Sequence, residues 1–79
     1  MDTATWVITK LAEVISVDVS ELSADTRLDE DVECDSIDLI EVLNSAEDEF
    51  GIEIDEELLY DVVTVGQLSA MIEAERTKG

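Results

Sequence analysis

Apolar residues recur with helical spacing near the start of the chain. Six of them fall on one stripe between residues 4 and 15, the spacing of an amphipathic helix with one face on a core. Asp2 or Thr3 can cap the start of this helix. The pattern predicts a first helix over residues 4–15, with a stripe made of Ala4, Val7, Ile8, Leu11, Val14 and Ile15.

The periodicity is lost between residues 16 and 35. Apolar residues are scattered there among Ser, Asp and Glu. A connection of about twenty residues is long for a compact domain and usually has a functional reason. We expect a loop that is pinned to the core by Val17, Val19, Leu22, Leu28 and Val32.

Helical spacing returns at residue 36. Asp35 is placed to cap the second helix, Asp38 adds favourable negative charge to its first turn, and Gly51 is a natural C-cap. The predicted helix covers residues 36–50. Its apolar stripe consists of Val42, Leu43, Ala46 and Phe50.

Two further helices are predicted after Gly51. A short one covers residues 56–61 with Asp55 as its cap, and a last one covers residues 65–75, opened by a capping box of Thr64 and Gln67. Residues 51–54 alternate between polar and apolar but are too few to build a sheet. The predicted fold is all-α, a small four-helix bundle with three main helices, one short third helix and a long first loop, in a single domain over residues 1–79.

Composition agrees with a small folded domain. The chain has 79 residues, of which 46% are hydrophobic. This fraction is enough to form a core and argues against disorder. The single cysteine, Cys34, cannot form an internal disulfide. Neither a signal peptide nor an apolar run long enough to cross a bilayer is present, so a cytoplasmic protein without membrane contact is expected.

The charge is extreme. Twenty-two acidic residues face four basic ones, for a net charge of -18, and no basic residue lies between Arg27 and Arg76. Such a field excludes binding to nucleic acid phosphates and favours fast encounter with basic protein surfaces. The alternative is that the charge only keeps a small domain soluble, and charge alone does not separate the two.

The chain offers little for catalysis or for a dedicated metal site. It has no histidine, and a lone cysteine without such a base cannot form the usual nucleophilic triads. If the acidic run is read as an EF-hand loop starting at Asp29, Cys34 falls where the turn glycine belongs and Ile40 where the bidentate glutamate belongs. We therefore expect neither an enzyme nor a metal protein.

Ser36 remains as the candidate functional residue. It lies where the long loop meets the second helix, beside backbone N–H groups that lack helical partners and favour an anion. It is also an ordinary place for a serine, because Ser and Asp are common at helix starts. The local pattern leaves both interpretations open.

The segment Asp35-Ser36-Ile37-Asp38 closely resembles the Asp-Ser-Leu-Asp attachment motif of acyl carrier proteins. Residues 47–50, residues 51–54 and Thr64-Val65 are similar to that family at the expected spacing. The resemblance implies that a phosphopantetheinyl transferase moves a 4'-phosphopantetheine arm from coenzyme A to Ser36. Acyl intermediates would then be carried as thioesters on the arm, in fatty acid or specialised, polyketide-like biosynthesis.

The same resemblance implies a set of binding residues on a monomer that partner enzymes act on. The transferase and the acyl-processing enzymes would bring basic patches to Asp35, Asp38, Glu41, Glu47 and Asp48. Ile37 and Ile40 would supply an exposed apolar contact beside the arm. An acyl pocket would be formed by Leu28, Leu39, Leu43, Ala46, Leu59 and Val62.

Several positions depart from the family pattern. Glu33 stands where a glycine is frequent, Asn44 where a hydrophobic residue is usual, and Leu39 and Leu59 where smaller residues are common. Because larger side chains fill a pocket, these departures indicate a specialised carrier with a small or short acyl cargo.

Two rival functions remain open. They are a peptidyl or aminoacyl carrier, and an acidic adaptor without a prosthetic group.

Cys34 lies two residues before Ser36. It is predicted to be a half-buried loop residue, whose thiol stays protonated because of the carboxylates around it.

Overall fold

The computed structural model describes residues 2–78, and they form three α-helices and two short 3₁₀ helices. The prediction of an all-α fold is confirmed, since no strand is found between residues 2 and 78 apart from one isolated antiparallel bridge of Arg27 with Thr64. The α-helices are α1 (Thr3–Ile15), α2 (Ser36–Phe50) and α3 (Val65–Lys78), and the 3₁₀ helices are Val19–Glu21 and Glu56–Asp61.

α1 begins and ends through local hydrogen bonds. The Asp2 carboxylate accepts the Thr5 N–H at 2.7 Å, and Ser16 closes the helix in the left-handed region with φ 60°. Val7 and Leu11 are fully buried, as the stripe predicts. Ala4, however, is exposed, and the buried positions beside the stripe are Thr3 and Ala12.

The helices enclose one apolar core. α1 packs against both α2 and α3, and amphipathic faces of this kind supply most helical stability in a small domain. Burial of these side chains removes apolar area from water, at about 25 cal/mol per Å². The core consists of Val7, Leu11, Ala12, Leu22, Leu28, Leu39, Val42, Leu43, Ala46, Ile54, Val65, Leu68 and Ile72.

The C-terminal end of α3 is tied to the rest of the fold by Arg76. Its guanidinium lies 4.1 Å from the centre of the Phe50 ring, and its Nη1 donates to Thr3 Oγ1 at 2.5 Å. Phe50 in turn meets Trp6 edge to face at 5.0 Å. These contacts explain why α3 continues to Lys78, beyond the predicted end at residue 75.

The long first loop is pinned to the start of α3. The Leu28 N–H donates to the Val63 carbonyl at 2.8 Å, and the Gly66 N–H donates to the Ala24 carbonyl at 2.9 Å. A Cβ on Gly66 would lie 3.0 Å from the Ala24 oxygen, closer than an ordinary contact, so this approach favours glycine. The loop is therefore part of the packed structure, as predicted, with Leu22 and Leu28 buried. The prediction is wrong for Val19, which is 50% exposed on the first 3₁₀ helix and does not pin the loop.

The second 3₁₀ helix, Glu56–Asp61, occupies the place of the predicted short third helix. The Asp55 carboxylate caps it by accepting the Glu57 N–H at 2.9 Å. None of its residues is fully buried, and Leu59 is half-buried whereas Tyr60 is exposed. Among residues 2–78, no helix is long and apolar enough to cross a membrane.

Candidate functional site

Ser36 is the first residue of α2 and is exposed to solvent. The helix is capped by its neighbours in a reciprocal arrangement. The Asp38 N–H donates to Asp35 Oδ1 at 3.0 Å, and the Asp35 N–H donates to Asp38 Oδ2 at 3.2 Å. Because Asp35 is the cap, the Ser36 hydroxyl is not needed to begin the helix.

The start of α2 is also a favourable place for negative charge. The capping box engages the N–H groups of Asp35 and Asp38, and the Leu39 N–H donates to the Asp35 carbonyl. The N–H groups of Ser36 and Ile37 precede the first helical hydrogen bonds, so the helix supplies them with no acceptor. Together with the helix dipole, they favour an anionic group attached at Ser36.

An apolar groove of about 190 Å³ opens beside Ser36. It lies where the long loop, the start of α2 and the second 3₁₀ helix meet. Its wall is mainly apolar, with carboxylates at two positions. The lining residues are Leu28, Asp29, Cys34, Asp35, Ser36, Leu39, Leu59, Tyr60, Val62 and Val63.

The groove includes only part of the acyl pocket predicted from the sequence. Leu28, Leu39, Leu59 and Val62 line it. Leu43 and Ala46 do not, because they are buried in the core about 6 and 10 Å further along the axis of α2 than Leu39.

Sequence reasoning missed Tyr60 and Val63, which also line the groove. The side chain of Tyr60 is 89% exposed, the highest value among the large hydrophobic residues described. The sequence does contain a signal for an exposed hydrophobic residue here. Residues 58–60 and 62–63 are apolar, and one face of so short a helix cannot bury all of these side chains.

The residues predicted to contact partners differ in exposure. Asp35, Glu41 and Asp48 are exposed, and Ile37 is 72% exposed directly after Ser36. The predicted set also contains three partly buried members, which are Asp38, Ile40 and Glu47.

Glu47 has a role inside the fold. Its Oε2 accepts the N–H of Ile54 at 2.8 Å, while its carbonyl accepts the N–H groups of Gly51 and Ile52. The carboxylate thus fixes the chain that leaves α2, which the sequence-based assignment to the partner surface did not anticipate.

Acidic residues of the loop surround the approach to Ser36. A second, polar hollow shares Asp29, Cys34 and Asp35 with the apolar groove and is otherwise lined by loop residues and Asp38. Arg27 lies 3.5 Å from both Asp29 and Glu30, at the edge of this surface. The surface near Ser36 is therefore negative and adjoins an apolar groove.

Cys34 lies two residues before Ser36 and is half-buried, as predicted. Burial of the Cys34 thiol, reinforced by the negative charges of Asp38 and Asp35, raises its pKa to about 11. The sequence-based explanation credited the carboxylates, but burial contributes most. The thiol is therefore a poor nucleophile at neutral pH.

Comparisons with known proteins agree with this geometry. A family model described as a phosphopantetheine attachment site matches residues 5–72. The chain is 37% identical over 76 residues to a protein of Helicobacter hepaticus, covering 96% of this chain and 100% of that protein. It is 33% identical over 63 residues to a protein of Thermotoga maritima, covering 80% and 78% of the two chains. A protein of Trieres chinensis is 31% identical over 77 residues, with 98% and 96% covered. Each of the three is named acyl carrier protein.

Proposed function

Because this chain belongs to the family of acyl carrier proteins, whose domain bears 4'-phosphopantetheine covalently, we propose that Ser36 is the residue to which the arm is attached. The observation that carries the proposal is the position of Ser36 at the exposed start of α2, where Asp35 and Asp38 supply the cap. The hydroxyl is thus accessible and has no capping role. When attached, the arm ends in a thiol that holds acyl groups as thioesters.

The chain acts as a carrier and not as an enzyme. Its contribution to arm attachment is an accessible oxygen, next to N–H groups that favour the phosphodiester charge. The chain has no histidine, and the neighbouring Cys34 thiol stays protonated, so neither a histidine nor a thiolate of this chain removes the Ser36 proton.

Partner enzymes meet the protein through basic patches. The exposed carboxylates of Glu41 and Asp48 lie on α2, and that of Asp35 caps its start. Ile37 adds an apolar contact next to Ser36. Attraction between opposite charges speeds the encounter, while a central apolar contact contributes to affinity. A monomer suffices for this function.

The cargo is a short acyl chain from fatty acid or specialised, polyketide-like biosynthesis. The support is the small volume of the groove, about 190 Å³, and the bulk of Leu39 and Leu59 in its wall. A short chain fits there without displacing core side chains, whereas a long one must displace them or stay in solvent. Thioesters from butyryl to palmitoyl, loaded in series, should show protection from hydrolysis that falls with length. Equal protection of all of them would reject this cargo.

The attachment itself is tested by intact mass. The unmodified chain is incubated with coenzyme A, magnesium and a promiscuous phosphopantetheinyl transferase. Wild type and Ser20→Ala should gain the mass of the arm, because Ser20 is an exposed serine in the first 3₁₀ helix, away from the start of α2. Ser36→Ala should gain none. Absence of a mass gain in the wild type would favour the acidic adaptor without a prosthetic group.

A further inference from the structure

Five large hydrophobic residues remain exposed among residues 2–78, and three of them lie beside Ser36. The five are Val19, Ile37, Leu58, Tyr60 and Val63. Ile37 follows Ser36 in the chain, while Tyr60 and Val63 line the same groove as Ser36. A single exposed hydrophobic residue needs no explanation, but a cluster around one reactive group indicates an interaction surface.

Tyr60 stands out within this cluster. It lies on the second 3₁₀ helix and lines the groove together with Ser36, whereas Ile37 lies on α2 directly after Ser36 and outside the groove lining. Leu59 and Val62 are half-buried beside it, but Tyr60 as a residue remains 89% exposed. Tyrosine is one of the residues that most often anchor protein interfaces.

Charge indicates the chemistry of the partner. The groove has the carboxylates of Asp29 and Asp35 in its wall, and Asp61 follows Tyr60 in the chain. Arg27 lies 3.5 Å from Asp29, but the chain has no further basic residue before Arg76 to offset Asp35 and Asp61. A surface that covers Tyr60 must therefore be basic around an apolar cleft.

The position of the groove selects one such partner. An enzyme that modifies the Ser36 hydroxyl must bring a phosphorus atom to bonding distance of that oxygen, so its surface must lie over the groove. An enzyme that acts on the end of a long arm has no such requirement. The occupant that the geometry favours is the enzyme that attaches the arm.

We propose that Tyr60, in the groove beside Ser36, and Ile37, next to Ser36 on α2, form a docking site for a phosphopantetheinyl transferase, in which the Tyr60 ring enters an apolar cleft edged by Lys and Arg. The inference rests on the proposed attachment at Ser36. It adds a contact on the second 3₁₀ helix to the surface of α2.

Steady-state kinetics of arm transfer to the unmodified chain test this docking site. Tyr60→Ala should lower kcat/KM about tenfold, equivalent to about 1.4 kcal/mol, mainly through a higher KM. Tyr60→Phe, which keeps the ring, should retain most of the wild-type kcat/KM.

Leu58→Ala is the matched control, since Leu58 is exposed on the same 3₁₀ helix but does not line the groove. Its kcat/KM should stay within about twofold of wild type. Thermal unfolding of Tyr60→Ala should match wild type.

The outcomes separate the two proposals. If wild type gains the arm and Tyr60→Ala reacts as fast, the docking site is wrong and attachment at Ser36 stands. If Tyr60→Phe reacts as slowly as Tyr60→Ala, the apolar ring is not the anchor. A loss of kcat/KM in Tyr60→Ala that comes from kcat alone would also overturn the anchor. If wild type gains no arm at all, the attachment at Ser36 fails, and the docking site fails with it.

Discussion

Asp35 and Asp38 cap each other at the start of α2, each carboxylate accepting the backbone N–H of the other residue at 3.0 and 3.2 Å. Two residues assigned to partner binding therefore also hold the serine between them in place. Their side chains serve the fold through hydrogen bonds and, in the proposed function, the encounter with partners through charge. Suitable substitutions can separate the two effects.

Asp35→Ala should lower the free energy of unfolding by about 0.5–2 kcal/mol, because α2 loses its N-cap. Asp35→Asn should stay close to wild type in stability, since asparagine caps equally well. It should nevertheless react more slowly with the transferase at low salt, because one attractive charge is gone. Urea unfolding and arm-transfer rates measure the two effects. If Asn and Ala destabilise equally, capping by Asp35 is not the cause.

Local signals made α2 predictable from sequence. Its bounds follow from an aspartate cap, a helical apolar stripe and Gly51, which takes the left-handed conformation at φ 64°. The exposed serine at its start follows from the same signals. These features depend on neighbours within a few residues of the chain, so they are visible without the fold.

Features that depend on distant contacts were not predictable. α3 continues to Lys78 because Arg76 contacts Phe50 and Thr3, which are far away in sequence. The exposed Tyr60 ring and its share in the groove of Ser36 depend on how the second 3₁₀ helix packs. An apolar run without clear periodicity does not indicate which of its side chains is left outside.

The carboxylate of Glu47 should prove structural. Glu47→Ala leaves the N–H of the largely buried Ile54 without its acceptor, which should cost about 1–3 kcal/mol of unfolding free energy. Glu47→Gln keeps an acceptor oxygen and should recover most of that loss. Asp48→Ala, an exposed neighbour, should change stability by no more than about 0.5 kcal/mol. Equal effects of the Glu47→Ala and Asp48→Ala variants would contradict the structural role.

Arg76 should stabilise the packing between α3 and the rest of the domain. Arg76→Met keeps an apolar stem but removes the cation from the Phe50 ring, so we expect a loss of about 0.5–2 kcal/mol. Trp6, the only tryptophan, contacts Phe50 and reports on unfolding through its fluorescence. Lys78→Met is the control, because the Lys78 ammonium that lies 3.0 Å from Glu75 belongs to an exposed side chain, and this ion pair should contribute little. Similar losses in both variants would point to general charge effects.

The Cys34 thiol should react slowly and with an alkaline pH profile. Its pKa is raised to about 11, so at neutral pH the neutral thiol dominates and the thiolate that reacts with iodoacetamide is scarce. In the unmodified chain, which has no other thiol, the alkylation rate should rise about tenfold per pH unit towards pH 11. Unfolding in urea removes the burial and should accelerate the reaction by roughly a hundredfold at pH 8. A folded chain that reacts as fast as the unfolded one would refute the raised pKa.

Repulsion between carboxylates should limit the stability of this domain. Fifteen acidic residues lie between Asp29 and Asp61 without a basic residue among them. Salt at 0.1 M shortens the range of the repulsion between exposed charges to about 10 Å, so the melting temperature should rise when sodium chloride is added.

Glu41→Gln removes one exposed charge from α2 and should stabilise the fold by about 0.2–0.5 kcal/mol at low salt. At about 0.5 M salt the advantage should largely vanish, because the removed repulsion is already screened. A melting temperature that does not respond to salt, with a Glu41→Gln gain that persists, would show that charge repulsion is not what limits the fold.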